Sequence, residues 1–247
     1  MAGTKIIKLK LEEGLGGKLP ALKPGSVDAA IQLYEELTRK LAYDFLQSNY
    51  GHVLDATKGL NIRSDQMQDV VSGLEKLREG IGHPHRVGLF LTALMQNSPD
   101  ETFLIAPKRQ ISHLGYRLEG GKEITVEGSL DDYTGSDMKD GRIYVKGYAG
   151  SSTGEGMKGG EIIVEKSAKL STGRLMAGGK VHIKGGSGTG TGAVMSGGEI
   201  IVDGTLSGET GAGMEGGTIR GGRIPMLGIS SLYKSGTIIS GGAQLKP

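Results

Sequence analysis

Residues 153–164 read Thr153-Gly-Glu-Gly-Met-Lys-Gly-Gly-Glu-Ile-Ile-Val164, and residues 210–217 read Thr210-Gly-Ala-Gly-Met-Glu-Gly-Gly217. The two stretches belong to one internal repeat. Met138, Met157, Met176, Met195 and Met214 follow one another at a constant step of nineteen. Gly135, Gly154, Gly173, Gly192 and Gly211 keep the same step, and so do Gly141, Gly160, Gly179, Gly198, Gly217 and, more faintly, Gly236. Self-similarity at one fixed period is the signature of a repeat architecture and takes precedence over any single motif.

After each glycine pair comes a short apolar alternation: Ile124/Val126, Ile143/Val145, Ile162/Val164, Val181/Ile183 and Ile200/Val202. Period two with β-branched residues predicts a strand buried on one face. No helical period fits between these runs. Parallel strands ordinarily need a long, usually helical crossover. Here each repeat unit holds only strands and turns, so the expected fold is mainly β: a right-handed parallel β-helix of about six to seven coils stacked about 4.8 Å apart. Glycine at fixed positions supplies positive φ at the corners. The methionines then form an internal stack of adaptable thioethers. Recurrence at the coil period favours this reading over a soft-metal site.

The remainder of the chain is ordinary in composition. Of the 45 glycines, 11 fall in residues 1–114 and 34 in residues 115–247. The repeat predicts two regions, a mostly helical capping or docking region over 1–110 and the β-helix over 111–247. In the first, Lys5–Leu11 alternates like a strand. Ser26 can cap a helix to about Phe45, with Ala29, Ala30, Leu33, Leu37, Leu41 and Phe45 on one side. Ser64 can open a second helix through Val70, Leu74 and Leu77, closed by Gly80. Arg86–Gln96 reads as a third, and Thr102–Ala106 as a strand leading into the first coil. A solenoid this short needs both ends covered. At the far end Arg223–Gly228 breaks the repeat, and Ser235–Gly242 partly restores it.

Charge and cysteine content narrow the function classes. Lys and Arg number 29 against 27 Asp and Glu, a formal charge of +2, so nothing calls for nucleic acid or an anionic membrane as partner. With no cysteine there is no disulfide, thiolate zinc site or cysteine-ligated cluster, which fits a cytoplasmic setting. The longest apolar run, near Val87–Met95, is far short of the roughly 20 residues of a membrane helix.

Four motifs suggest chemistry, and each falls back into the repeat or lacks partners. Gly154-Glu-Gly-Met-Lys-Gly159 matches the dinucleotide fingerprint, yet a strand rather than a helix follows, and Gly211–Gly216 matches again three periods later. Gly185–Gly192 is dense enough to cradle phosphate with backbone amides, but it lies in register with the other corners. Gly150-Ser-Ser-Thr-Gly154 matches the nucleophile elbow around Ser152, the basis for an esterase-like alternative. Its counterparts in other coils are Tyr133, Ser171, Gly190 and Glu209. His83-Pro-His85 offers two metal ligands where zinc wants three or four, and His52, His113 and His182 show no spacing that would join them. Asp131-Asp132 reads as a solvated turn. The residues therefore predict no catalytic, cofactor-binding or metal residue in this chain, with His83 and His85 the weak candidates for metal.

The units Tyr133–Gly141, Thr153–Gly160 and Thr210–Gly217, each leading into a strand such as Glu161-Ile-Ile-Val164, resemble the GXGXG domain family over residues 115–220. That family includes the GXGXG subunit of formylmethanofuran dehydrogenase and that of the formyltransferase/hydrolase complex. It also includes the carboxy-terminal domain of the glutamate synthase large subunit. The resemblance implies a non-catalytic scaffold within a multi-subunit enzyme of one-carbon formyl metabolism. It further implies partner subunits that carry molybdenum or tungsten, zinc, iron–sulfur clusters or flavin. A separate subunit of a glutamate synthase-like amidotransferase is the alternative. The sequence departs from the pattern over 1–110, and at Lys166 and Arg223, which stand where glycine is expected.

Overall fold

The structure is a computed structural model that describes residues 23–40, 50–77, 84–224 and 233–245. The alternating segment Lys5–Leu11, the helical positions Leu41 and Phe45, and Gly80 lie outside the described residues. Among the described residues four helices come first: α1 (Val27–Lys40), α2 (Tyr50–Thr57), α3 (Ser64–Glu75) and α4 (Pro84–Asn97). Nine strands follow: β1 (Thr102–Ile105), β2 (Glu123–Val126), β3 (Arg142–Val145), β4 (Glu161–Val164), β5 (Lys180–Ile183), β6 (Glu199–Thr205), β7 (Thr218–Arg223), β8 (Thr237–Ser240) and β9 (Ala243–Leu245). They form one sheet in chain order, parallel from β1 to β8, with β9 turned back antiparallel on β8. The chain is a parallel β-solenoid with a helical start.

The register follows the repeat. Ile143 lies beside Ile124, Ile162 beside Ile143, Val181 beside Ile162, and so on to Ile238, each one full period from the last. These side chains are buried, as are Val126, Val145, Val164, Ile183 and Val202 in the second inward column. The five repeat methionines are buried completely. Their column is continued by Leu118 below and Tyr233 above, since Lys139, Lys158 and Lys234 each donate a backbone bond to the preceding member of the series.

Methionines and glycines interlock. A Cβ on Gly160 would come within 2.7 Å of the Met138 Cε, and one on Gly179 within 2.8 Å of the Met157 Cε. The same holds for Gly198 with Met176, Gly217 with Met195 and Gly236 with Met214. Each methyl fills the volume that a side chain in the coil above would need. These glycines also have φ between +78° and +106°, a region closed to most side chains.

Between strand and methionine each coil turns a corner on a buried threonine: Thr134, Thr153, Thr172, Thr191 and Thr210. The hydroxyls of Thr134, Thr153, Thr191 and Thr210 donate to the carbonyl three residues back at 3.0–3.2 Å. That of Thr172 instead accepts from Ser187 at 2.9 Å. A buried hydroxyl would otherwise carry an unmet desolvation cost.

The helices cover the first strand edge. The side-chain amide of Gln68 on α3 accepts from the Ala106 N–H at 2.7 Å, and Glu75 accepts from the N–H groups of Lys108 and Arg109. Gly88 of α4 rests against the Ser112 carbonyl, where a Cβ would stand at 1.9 Å. Thr92 accepts from the Gly115 N–H at 2.8 Å. One apolar core runs without a break from the helices into the coils.

Three local features refine the sequence reading. The sheet begins at β1, ahead of position 111, because Phe103 pairs with Ile124 at a step slightly longer than the coil period. Helix α2 is additional; Gly51 and Thr57 give it little intrinsic helicity, and its buried Tyr50, Val53 and Ala56 hold it by packing. Helix α4 starts two residues earlier than expected, with Pro84 at its first position. The Ser26 cap is present, accepting from the Ala29 N–H at 3.3 Å.

Replacing Gly160 or Gly179 by Val will cost about 3 kcal/mol or more each, since both the φ and the methionine methyl oppose a branched side chain. Val at the exposed Lys158 will stay within about 0.5 kcal/mol of wild type. Urea unfolding midpoints check this, and equal effects at all three positions would refute the register.

Candidate functional site

The glycine motifs hold their backbone in the coil ladder. In the fingerprint-like stretch Gly154 N–H donates to Thr134 O, Gly156 to Arg174 O and Gly159 to Met138 O. Strand β4 follows rather than a helix. In the dense loop Gly185, Ser187, Gly188, Gly190 and Gly192 donate to Lys166, Thr205, Lys169, Gly208 and Thr172 carbonyls, and Gly186 donates to the Ser167 hydroxyl at 3.1 Å. A phosphate cradle needs several amides aimed at one point outside the fold. Here they are spent on neighbouring coils.

Ser152 is a buried corner residue with φ 58°, and its N–H donates to Leu170 O. Tyr133, Ser171 and Glu209 at the equivalent corners share that backbone conformation at φ 58–63°. The strained backbone therefore belongs to the solenoid and does not single out Ser152. Asp131 and Asp132 stand at such a corner too. Asp132 accepts from the Ser151 N–H at 2.7 Å, and Asp131 lies 3.7 Å from Lys169 Nζ.

The histidines occupy separate elements. His83 lies outside the described residues; His85 is the second residue of α4, and its side chain is not among those described. His52 sits on α2. His113 is buried and stacks on the Tyr133 ring at 4.6 Å. His182 points out of β5 and meets Asp203 at 3.0 Å. Among the described residues no three His, Asp or Glu side chains gather as a metal site.

The outer face of the sheet carries the ordered charge. Residues that start successive strands read Glu123, Arg142, Glu161, Lys180 and Glu199, and those just past the strand ends, or within β6, read Glu127, Lys146, Glu165, Lys184 and Asp203. Arg142 lies 3.0 Å from Glu161, Arg220 2.9 Å from Glu199, Lys146 2.5 Å from Glu127 and Lys184 2.5 Å from Glu165. The hydrogen bond from Lys184, and after it that from the Tyr144 hydroxyl, holds the Glu165 carboxyl below its usual range. The same contacts raise the Lys184 ammonium and the Tyr144 phenol. Along the centre of this face run Tyr144, Ile163, His182 and Ile201, all half-buried. The arrangement is flat and its charges are already neutralised locally, so it is suited to contact rather than to enclosing a substrate.

An open pocket of about 450 Å³ lies where α2, the end of α4 and residues 119–122 meet. Lys58 there pairs with Asp55 at 2.5 Å, and Lys122 donates to the Ser98 and Asp100 carbonyls at 2.8 and 2.7 Å. Asn97 donates to Leu54 O and the Thr57 hydroxyl, while Gln96 Oε1 is buried without a partner. Close by, the Asp100 carboxylate ties helix to solenoid. It accepts from the Ser64 N–H at 2.8 Å and the Ser64 hydroxyl at 2.9 Å, and Arg63 lies 2.8 Å away. Those two bonds first, and the Arg63 charge after them, hold its carboxyl below the usual range.

No protein-family model matches the sequence, and no curated protein matches it. The likeness to the GXGXG family therefore rests on the repeat residues themselves. Among the described residues no helix is long and apolar enough to cross a membrane.

The lowered Asp100 carboxyl fixes the sign of one pH effect. Its stabilisation is complete above the ordinary carboxylate range and drains away as pH falls through the depressed value. Asp100→Asn will lower the urea midpoint at pH 7, and the gap from wild type will close as the solution is made acidic. A gap that stays constant with pH would refute this role.

Proposed function

We propose that this chain is a non-catalytic scaffold subunit of a multi-subunit, cytoplasmic enzyme. It resembles the GXGXG subunit of formylmethanofuran dehydrogenase or of the formyltransferase/hydrolase complex, with a glutamate synthase-like amidotransferase as the alternative assembly. The observation that carries the reading is the commitment of its glycine-rich motifs. The glycine amides of Gly154, Gly156, Gly159, Gly185, Gly188, Gly190 and Gly192 are donated from coil to coil, which leaves the outward side chains as the variable part of the repeat. A stack of coils whose first end is covered by helices and whose outer charges are paired is a rigid spacer. On this proposal the reacting metals, clusters or flavin belong to the partner subunits.

Native mass spectrometry of the protein purified gently from its own cells tests the proposal. Stoichiometric co-purification with larger subunits bearing molybdenum, tungsten, zinc, iron–sulfur or flavin supports it. Recovery without any other subunit overturns it. In the assembled complex Ser152→Ala and His85→Ala will leave turnover unchanged, whereas an esterase-like centre on this chain would lose its activity with Ser152.

A further inference from the structure

Five successive coils turn the same corner, at residues 131–137, 150–156, 169–175, 188–194 and 207–213. Their backbones are bonded one to the next: Tyr133 N–H to Ser151 O, Ser152 to Leu170, Ser171 to Thr189 and Gly190 to Gly208. The corners thus stack into one wall. Among the described residues six large apolar side chains are exposed by more than a third, and four of them stand on this wall: Tyr133, Leu170, Leu175 and Val194.

Three of the four are held in a left-handed backbone: Tyr133 at φ 63°, in the corner column it shares with Ser152, and two more in a second column. Leu175 and Val194 have φ of 58° and 56°. The equivalent residues in the other coils are Asp137, Gly156 and Gly213, types that accept a left-handed backbone readily. Leucine accepts it poorly and valine worse, being β-branched. Side chains 43% and 46% exposed return little to folding. Strain of this kind persists where it serves a contact.

Charge on the wall identifies what the contact is with. The coil at 131–137 presents Asp131, Asp132 and Asp137 beside Tyr133, and the coil at 169–175 presents Lys169 and Arg174 beside Leu170 and Leu175. Between them the coil at 150–156 is built largely from Gly and Ser. Two copies running in the same direction would set acid against acid. Two antiparallel copies, related by a twofold axis through the middle coil, set the acidic, aromatic coil of each on the basic, apolar coil of the other. The small residues at the axis then permit close approach.

Within one copy Lys169 already lies 3.7 Å from Asp131, Arg174 2.9 Å from Glu155 and Arg117 3.9 Å from Asp137. Association would therefore extend existing ion pairs, and would set Asp132, whose carboxylate accepts from the Ser151 N–H at 2.7 Å, against a cation of the second copy.

We propose that this wall is a self-association surface and that its occupant is a second copy of the chain in antiparallel, twofold arrangement. Centred on that axis, the five coils from 112–118 to 188–194, about 4.8 Å apart and seven residues across, give roughly 500 Å² per copy, below the ~800 Å² of a standard interface, with Val194 facing the coil at 112–118 of the second copy. The dimer is accordingly reversible and concentration-dependent. Isologous contacts of this kind repeat every favourable pair twice.

Sedimentation velocity on the full chain across a concentration series tests the proposal. Wild type will shift from monomer toward twice the monomer mass, and added salt will weaken the shift. Leu175→Asn with Val194→Asn, which relieves the backbone while removing the apolar contact, will weaken association at least ten-fold and raise the thermal midpoint. Asp132→Lys and Lys169→Asp will each weaken it, and the two together will restore it. A chain that is monomeric at every concentration overturns the proposal, as does a dimer indifferent to these variants. Protection of Leu175 and Val194 only when another subunit is bound would assign the wall to that subunit and overturn it as well. A homodimer lacking other subunits would refute the scaffold reading and leave this one standing.

Discussion

The structure depends on how closely one coil lies on the next. Adjacent strands sit about 4.8 Å apart, and every backbone atom of a coil must tolerate the coil beneath. At the turn before each strand the Cβ position of the glycine is taken by the methionine methyl of the coil below, at 2.6–2.8 Å from Gly160 through Gly236. The first glycine of the Thr-Gly pair meets the same limit from the strand side. A Cβ on Gly135, Gly173 or Gly192 would come within 2.3–2.4 Å of the isoleucine at Ile162, Ile200 or Ile219. Methionine suits the column because an unbranched thioether can settle into an irregular gap, and glycine suits it because it adds no atoms. The two columns are one device read at two places in the sequence.

The same closeness governs charge. In a parallel solenoid of constant period, a residue sits directly beside its own counterpart in the next coil. Identical charges in one column would therefore face each other at coil spacing, and like charges directly opposite are destabilising. The outer columns meet this by alternation: Glu123, Arg142, Glu161, Lys180, Glu199 along one edge and Glu127, Lys146, Glu165, Lys184, Asp203 along the other. Exposed ion pairs are worth little singly. Their importance here is to cancel a repulsion that the fold itself imposes, and a near-zero net charge is the by-product.

The solenoid was legible because its requirements are tied to residue type. Inward strand positions in the repeat are β-branched, crowded turns are glycine and the core corner is methionine in five successive coils, so three columns in one register give the fold directly. What stayed hidden were features with no residue-type signature. The first strand was legible at Thr102–Ala106, but its pairing of Phe103 with Ile124, a step longer than the coil period, was not. Helix α2 escaped because tertiary packing, not propensity, forms it. The left-handed corner column at Tyr133, Ser152, Ser171, Gly190 and Glu209 escaped because its residue types differ from coil to coil. The buried threonines were visible as part of the repeat, but their bond to the carbonyl three residues back was not. The nucleotide, phosphate and nucleophile motifs lie in the repeat register, and their glycine amides are donated to neighbouring coils.

This division says where function has to be sought. A repeat whose inward residues are fixed by packing and whose amides are spent on neighbours leaves only outward side chains free to vary. A position that departs from what its column needs for folding then carries information. Lys166, standing where glycine is expected, lays its ammonium 5.0 Å over the Tyr148 ring, a contact confined to the outer surface. Leu175 and Val194 depart further, since they oppose the backbone they occupy and bury little in return. Folding alone would have placed glycine, asparagine or aspartate there, as it did at Asp137, Gly156 and Gly213. The wall that holds these two residues is therefore where association, rather than stability, accounts for the sequence.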